Sequence, residues 1–317
     1  MALQTSLMSA FNWLGDELGL QTMRSAGKDV YIIILLRYIR LFAYGAVALI
    51  LALYFEAQGF SDSNIGLFMT LTLLGDVVIS LLLTLVADHI GRRTTLLLGA
   101  AMMTISGAVF ASTNNYIALL LAAIIGVISP TGNEIGPFRA VEESTLAHLV
   151  DEKKRADVFT WYVVLAVLGT SSGLVVGGQA VDHLQGLDGW TELDAFRAIF
   201  WIYAGVGCLK GVMTLFLSSK CERSEKQELV SGEREPLLNG HIESEADEQV
   251  PIPGTRWMNP ISAISKPSRW VLIKLCSLFF LDSLGSGMVP FSLVNFYMER
   301  KFQLGKGQLG GIMSATW

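Results

Sequence analysis

Seven stretches of about 20 mostly apolar residues, separated by polar connections, decide what this chain can fold into. A hydrocarbon layer about 30 Å thick is crossed by a helix of that length, because a helix satisfies its own backbone N–H and C=O groups inside lipid. The stretches cover 34–55, 65–86, 94–112, 117–138, 158–181, 196–217 and 270–297. An eighth starts near Gly307 and has room for about three turns before Trp317, which reads as an incomplete span and an early end. The composition agrees: 16% charged residues and 52% hydrophobic ones, where soluble domains carry roughly 25% charge. The expectation is an all-α, polytopic membrane protein. This excludes a disordered chain, a nucleic-acid binder and a secreted disulfide scaffold, and the net charge of −5 describes the loops. Cys208 and Cys276 lie in apolar stretches and Cys221 just after one, so no disulfide framework is implied. Residues 1–30 lack the basic start, apolar run and cleavage site of a signal peptide.

Lysines and arginines resist translocation, so their placement in the short connections orients the spans. One alternate set of connections holds Arg92 and Arg93, then Lys153, Lys154 and Arg155, then the seven basic residues from Lys220 to Arg269. The other set holds only Arg197. The first set, and with it the N-terminus, is expected in the cytoplasm. Arg300, Lys301 and Lys306 after the seventh span break the alternation. Between spans six and seven the sequence turns charged and aromatic-free, as in SEKQELVSGEREPLLNGHIESEADEQVPIPG, too polar to bury a core. The expected organisation is a cytoplasmic segment over 1–30, a six-helix bundle over 31–219, a disordered cytoplasmic linker over 220–268, and the start of a second bundle over 269–317.

After the second span, TLVADHIGRRTTLLLG places Asp88, Gly91, Arg92 and Arg93 in a tight turn between two helices. Gly91 permits a backbone conformation closed to other residues. The arginines suit a negatively charged cytoplasmic surface, and Asp88 can accept charge-assisted hydrogen bonds. In spacing and position the stretch resembles the loop signature GxxxD(R/K)xGR(R/K) of the major facilitator superfamily. Thr84 stands where the family has its first glycine and His89 where it has a basic residue. The plain alternative is a short cytoplasmic loop that has collected arginine and glycine. The resemblance covers roughly 31–317 and is to fungal-type members. It implies two bundles rocking about a midplane site, with the loop latching them on the cytoplasmic side.

On the fifth span Gly169, Gly173 and Gly177 recur every four residues with Gly178 adjoining, leaving one face without side chains for close packing. The run resembles the fifth-helix element GxxxGPxxGG of exchanger-type members, with Leu174 in place of the proline. In the fourth span Pro130, Gly132, Gly136 and Pro137 interrupt the helix around Asn133 and Glu134, a break tolerated where protein or water satisfies the backbone. Glu134 lies near the inner end of its span, where a gate or structural ion pair is expected. Arg139 and Glu143, four apart, can pair. Asp76 and Asp282 fall about 18 to 20 Å along their helices, near the midplane, where a carboxylate marks a proton relay, a substrate site or a buried ion pair. Family resemblance ranks Asp282 above Asp76, since the first, fourth and seventh helices line the central cavity. Arg37 is expected at the lipid headgroups. The deeper Arg40 can face the cavity and attract an anionic substrate, and Lys210 and Lys274 are expected to snorkel. In the linker, EREPLL sets Glu233 four and five positions ahead of Leu237 and Leu238, the spacing of an acidic dileucine sorting signal.

The function expected is secondary transport of a small solute by alternating access, with proton coupling as an option carried first by Asp282. The chain is expected in the vacuolar or plasma membrane, as a monomer, without cofactor, metal or nucleic acid. It lacks a nucleophile with a base, a metal-ligand cluster and a phosphate loop, and so is not expected to be an enzyme. The alternatives are a truncated, non-transporting regulatory or scaffold protein, and a seven-span receptor, whose external N-terminus the basic-residue pattern opposes.

Overall fold

The computed structural model describes residues 19–126, 128, 137–218, 221 and 266–316. For 81, 83–89, 137, 266–269, 283, 286 and 287 the backbone alone is described. Glu134, the dileucine group Glu233, Leu237 and Leu238, and nearly all of the expected linker lie outside these residues. The chain divides into one unit over 1–222 and 289–317 and another over 223–288.

The first unit is helical throughout its described elements: α1 (Leu20–Ser25), α2 (Lys28–Ala57), α3 (Asp62–Ile90), α4 (Arg92–Ser112), α5 (Tyr116–Gly126), α6 (Pro137–Leu149), α7 (Arg155–Gln185), α8 (Glu192–Leu215), α10 (Phe291–Phe302) and α11 (Lys306–Thr316). A 3-10 turn at Glu152–Lys154 leads into α7. In the second unit α9 (Lys266–Met288) is described by itself, and from Trp270 to Leu281 every side chain on it is exposed.

Among the described residues, five helices are long and apolar enough to cross a membrane, and α5 is a shorter apolar one. Their lengths follow from uninterrupted apolar sequence bounded by helix-ending signals. Gly91, at φ +92°, lets α3 turn sharply into α4. Thr191 and Asp194 cap the start of α8 reciprocally. The helix α2 is buried all round from Ala43 to Phe55, the signature of a helix surrounded by others rather than by lipid. It packs along α7 and α8 and meets α10, α8 packs along α4, and α7 carries α11 on another flank. At one end an aromatic cluster of Tyr54, Phe55, Phe68, Phe110 and Phe200 fills the interior, and the Tyr54 hydroxyl donates to the Phe110 carbonyl at 2.5 Å.

One span, the seventh, differs from expectation. In the fourth, the described helices α5 and α6 flank the interruption expected around Asn133 and Glu134, which lies outside the described residues. Proline suits the first helical position because its missing N–H would be unpaired there anyway. The seventh, expected as one helix over 270–297, ends at Met288 and restarts at Phe291. Pro290 donates no hydrogen bond and restricts the residue before it, and it caps α10 from an extended conformation.

Candidate functional site

The short helix α6 carries the group on which the site is built. Phe138, Val141, Glu142, Thr145 and Leu146 share its buried face, while Arg139 and Ala140 are exposed. Glu142 therefore enters the bundle with only 1% of its surface exposed. Arg40 on α2 donates to its Oε2 at 2.7 Å, and the Tyr162 hydroxyl on α7 donates to the same oxygen at 2.9 Å. Arg37, one turn before Arg40, donates to the Tyr162 hydroxyl at 2.6 Å and lies 3.7 Å from Oε2. Its guanidinium also stacks 4.0 Å from the Tyr162 ring centre. On the far side of the carboxylate, the Lys210 ammonium of α8 stands 3.9 Å from Oε1 and 5.9 Å from the Phe138 ring. Three helices thus converge on the carboxylate of a fourth through two guanidiniums, an ammonium and a phenol.

Desolvating that many charges is costly, and the arrangement persists because each neighbour is a charged or hydrogen-bonding partner. Asp76 on α3 is likewise buried, 2% exposed. Two expectations are corrected here. Arg37 and Lys210 do not reach toward headgroups or snorkel; they are 4% and 2% exposed, drawn inward by the carboxylate of Glu142. Arg139 stays outside the cluster, on the exposed face of α6, donating to Glu143 at 2.7 Å. Lys274 is exposed on α9, and so is Asp282, in the unit described by itself.

In the α3–α4 turn, Arg93 donates to the Leu215 carbonyl at 2.6 Å and so ties the turn to the end of α8. The Gly91 carbonyl accepts from the backbone and side chain of Thr95. Arg92 is half-buried, and of Asp88 the backbone alone is described, inside α3. Of the fifth-span glycines, Gly169, Gly173 and Gly177 face α2, where added Cβ atoms would meet Tyr38, Phe42 and Ala46. Gly178 faces the Lys306 carbonyl of α11. Among the described residues there is no group of three or more side chains suited to a metal ion.

Glu142, Tyr162 and Lys210 were not picked out as site residues by sequence reasoning. A signal existed for the first: positions 138, 141, 142, 145 and 146 trace the apolar stripe of α6, and a glutamate on such a stripe needs a buried partner.

A bundle of apolar helices with an internal charged centre is the build of a polytopic membrane carrier, and the chain matches one such family over residues 33–317. It belongs to the Major Facilitator Superfamily, and it is an integral, multi-pass membrane protein of a transporter family rather than an enzyme. It is 34% identical over 297 residues to the uncharacterized membrane protein YJR124C of Saccharomyces cerevisiae, covering 92% of this chain and 65% of the relative. The quinolone resistance protein NorA of Staphylococcus aureus is 21% identical over 190 residues, 60% of this chain and 45% of NorA. The chain therefore spans about two-thirds or less of the length of these relatives. Among solved structures, a D-xylose-proton symporter superposes with a TM-score of 0.50 at 18% identity, covering 65% of this chain and 53% of that one. The inward-open form of the xylose transporter XylE from E. coli matches equally, at 0.50 and 18%, over 64% and 51%.

Proposed function

We propose that the full-length protein is a secondary transporter that carries a small solute across the bilayer by alternating access, with the Glu142 cluster as the charged centre of its first bundle. The observation that carries this reading is a carboxylate 1% exposed, held by Arg37 and Arg40 of α2, Lys210 of α8 and the Tyr162 hydroxyl of α7, inside a member of a transporter superfamily. Intramembrane charges are expensive and are kept where they line a solute or ion pathway. Because Arg37 and Arg40 on α2 and Lys210 on α8 approach the same carboxylate from two helices, its bonds can be exchanged as those helices shift. Such an exchange links a local event to a bundle movement. A xylose-proton symporter and a quinolone resistance protein among the similar proteins support a small organic solute. Proton coupling through Asp282, with Asp76 second, belongs to the same proposal. So do a cytoplasmic N-terminus, the organisation into bundle, linker and second bundle, and a vacuolar or plasma membrane address.

The test is uptake into proteoliposomes holding the full-length protein, with sugars and aromatic drug-like amines as solutes and with or without an inward proton gradient. Glu142→Gln is expected to lower the initial rate at least tenfold for whichever solute moves, and Glu143→Gln to leave it within twofold. Asp282→Asn is expected to abolish gradient-driven accumulation while solute counterflow persists. Full activity of the Glu142→Gln protein would remove the cluster from the mechanism. Accumulation surviving in Asp282→Asn would remove that residue as the proton carrier.

A further inference from the structure

The short helix α1 sits at the starts of α2 and α7, and its neighbours hold it there. Six residues are too few for a helix to persist alone, and Ala26 and Gly27 after it are extended, a joint about which it can swing away. The Thr22 hydroxyl donates to Oδ2 of Asp157 on α7 at 2.6 Å. At the other end of α1, Lys154 donates to the Ser25 hydroxyl at 3.2 Å, and the Tyr31 hydroxyl of α2 donates to the Met23 carbonyl at 2.5 Å. Gly19, at φ +64°, lies so close to Asp157 that a Cβ there would be 2.7 Å from its side chain. Between these contacts Met23, 9% exposed, enters an apolar cluster that also holds Val141, Leu146, Tyr162 and Cys221.

We propose that Thr22 is a phosphorylation site and that its phosphate drives α1 off this seat. The inference rests on the cytoplasmic N-terminus of the transporter reading, since the phosphoryl donor is a cytoplasmic nucleoside triphosphate. The Thr22 hydroxyl oxygen attacks the γ-phosphorus. A P–O bond to threonine forms, the bond to the β,γ-bridging oxygen breaks, the hydroxyl proton passes to the kinase's base and the nucleoside diphosphate leaves. Docked, Thr22 is half-buried; once α1 swings out on its extended joint, a kinase can reach the hydroxyl. The phosphate then bars the return. The proton that bonded Asp157 is gone, roughly two negative charges stand where the Asp157 carboxylate must come, and the tight approach of Gly19 to Asp157 leaves no space for the added oxygens. Ser25 has the opposite surroundings: its hydroxyl meets Lys154, so a phosphate there would gain a cation and fasten α1.

The test uses the full-length protein retaining Cys221 alone, purified in detergent, with two readouts of α1. One is tryptic cleavage after Arg24, an exposed residue of α1; the other is alkylation of Cys221, 2% exposed in the cluster that α1 covers. Thr22→Asp is expected to raise both rates at least tenfold. Thr22→Asn, of the same shape but uncharged and still able to donate to Asp157, is expected to stay within twofold of the parent. Adding Asp157→Lys to Thr22→Asp should restore the slow rates. Equal rates in Thr22→Asp and Thr22→Asn would overturn the release. Mass spectrometry of the protein made in yeast with phosphatase inhibitors is expected to find phosphate on Thr22, and phosphatase treatment to slow both readouts. With an N-terminal tag inside the cell, unmodified Thr22 or phosphate on Ser25 alone would overturn the modification site. A tag outside the cell would overturn the cytoplasmic orientation and the site with it, even where Thr22→Asp still frees α1.

Discussion

Cys221 shows how strongly one buried neighbourhood sets the chemistry of a side chain. Its thiol is 2% exposed just beyond the end of α8, close to Asp29, which accepts from both the backbone and the hydroxyl of Ser218. Burial, with the Asp29 charge second, disfavours the thiolate and pushes the thiol up to about 11, against opposing help from Ser218, Arg92 and Arg93. Only the thiolate reacts. In a protein retaining Cys221 alone, the rate of alkylation should rise about tenfold per pH unit from 7 to 10, and Asp29→Asn should shift the curve to lower pH; a plateau near pH 9 would contradict the assignment. The neighbouring lesson concerns Glu142 and Glu143. Adjacent in sequence, they sit on opposite sides of the helical stripe, so one is locked among three cations and the other pairs with Arg139 at the surface. The sequence carries that distinction in the spacing of Phe138, Val141, Thr145 and Leu146. It does not carry which cations the buried one meets, because Arg37, Arg40 and Lys210 lie 105, 102 and 68 positions away, as their residue numbers show.

At the level of elements, the interface between α2 and α7 depends on what is missing from it. Gly173 sits against the Phe42 carbonyl, Gly169 lies where a Cβ would be 2.7 Å from the Tyr38 carbonyl oxygen, and Gly45 answers from α2 against the Thr170 carbonyl. In lipid there is little hydrophobic gain from bringing helices together, so close backbone approach and the dispersion it allows supply much of the attraction. Gly173→Val should cost about 1–3 kcal/mol through overpacking and lower the melting temperature of the detergent-solubilised protein. Gly205→Val, on α8 with open space around it, should change it by less than about 0.5 kcal/mol. The four-residue glycine spacing was legible from sequence, and so was the helical character of the described parts of the long spans. The partner of the stripe was not, since a smooth face fits many helices. Pro290 was visible too, yet its effect was missed: proline kinks some membrane helices and divides others, and here it divides the seventh span into α9 and α10.

For the whole molecule, the alternation of charged connections predicts topology. The turns holding Arg92, Arg93, Lys153 and Lys154 share one end with the start of α2 and the close of α8, tied by Arg93 to Leu215 and Asp29 to Ser218. A small tag at the N-terminus should be inaccessible to antibody in intact cells and become accessible on permeabilisation. Surface labelling without permeabilisation would instead support the receptor-like orientation. The amino-acid sequence by itself determined that the chain is an all-α membrane protein, how many apolar segments it has, and to which superfamily its loop motif points. These follow from local physics, because the thickness of lipid and the need to satisfy the backbone act on each segment separately. Tertiary structure alone decided that Glu142 meets Arg37, Arg40, Tyr162 and Lys210, and that Arg300 and Lys306 meet Asp62 and Glu192. Charges brought together from distant positions depend on how helices rotate and pack against one another, and that is settled by shape complementarity summed over the whole bundle.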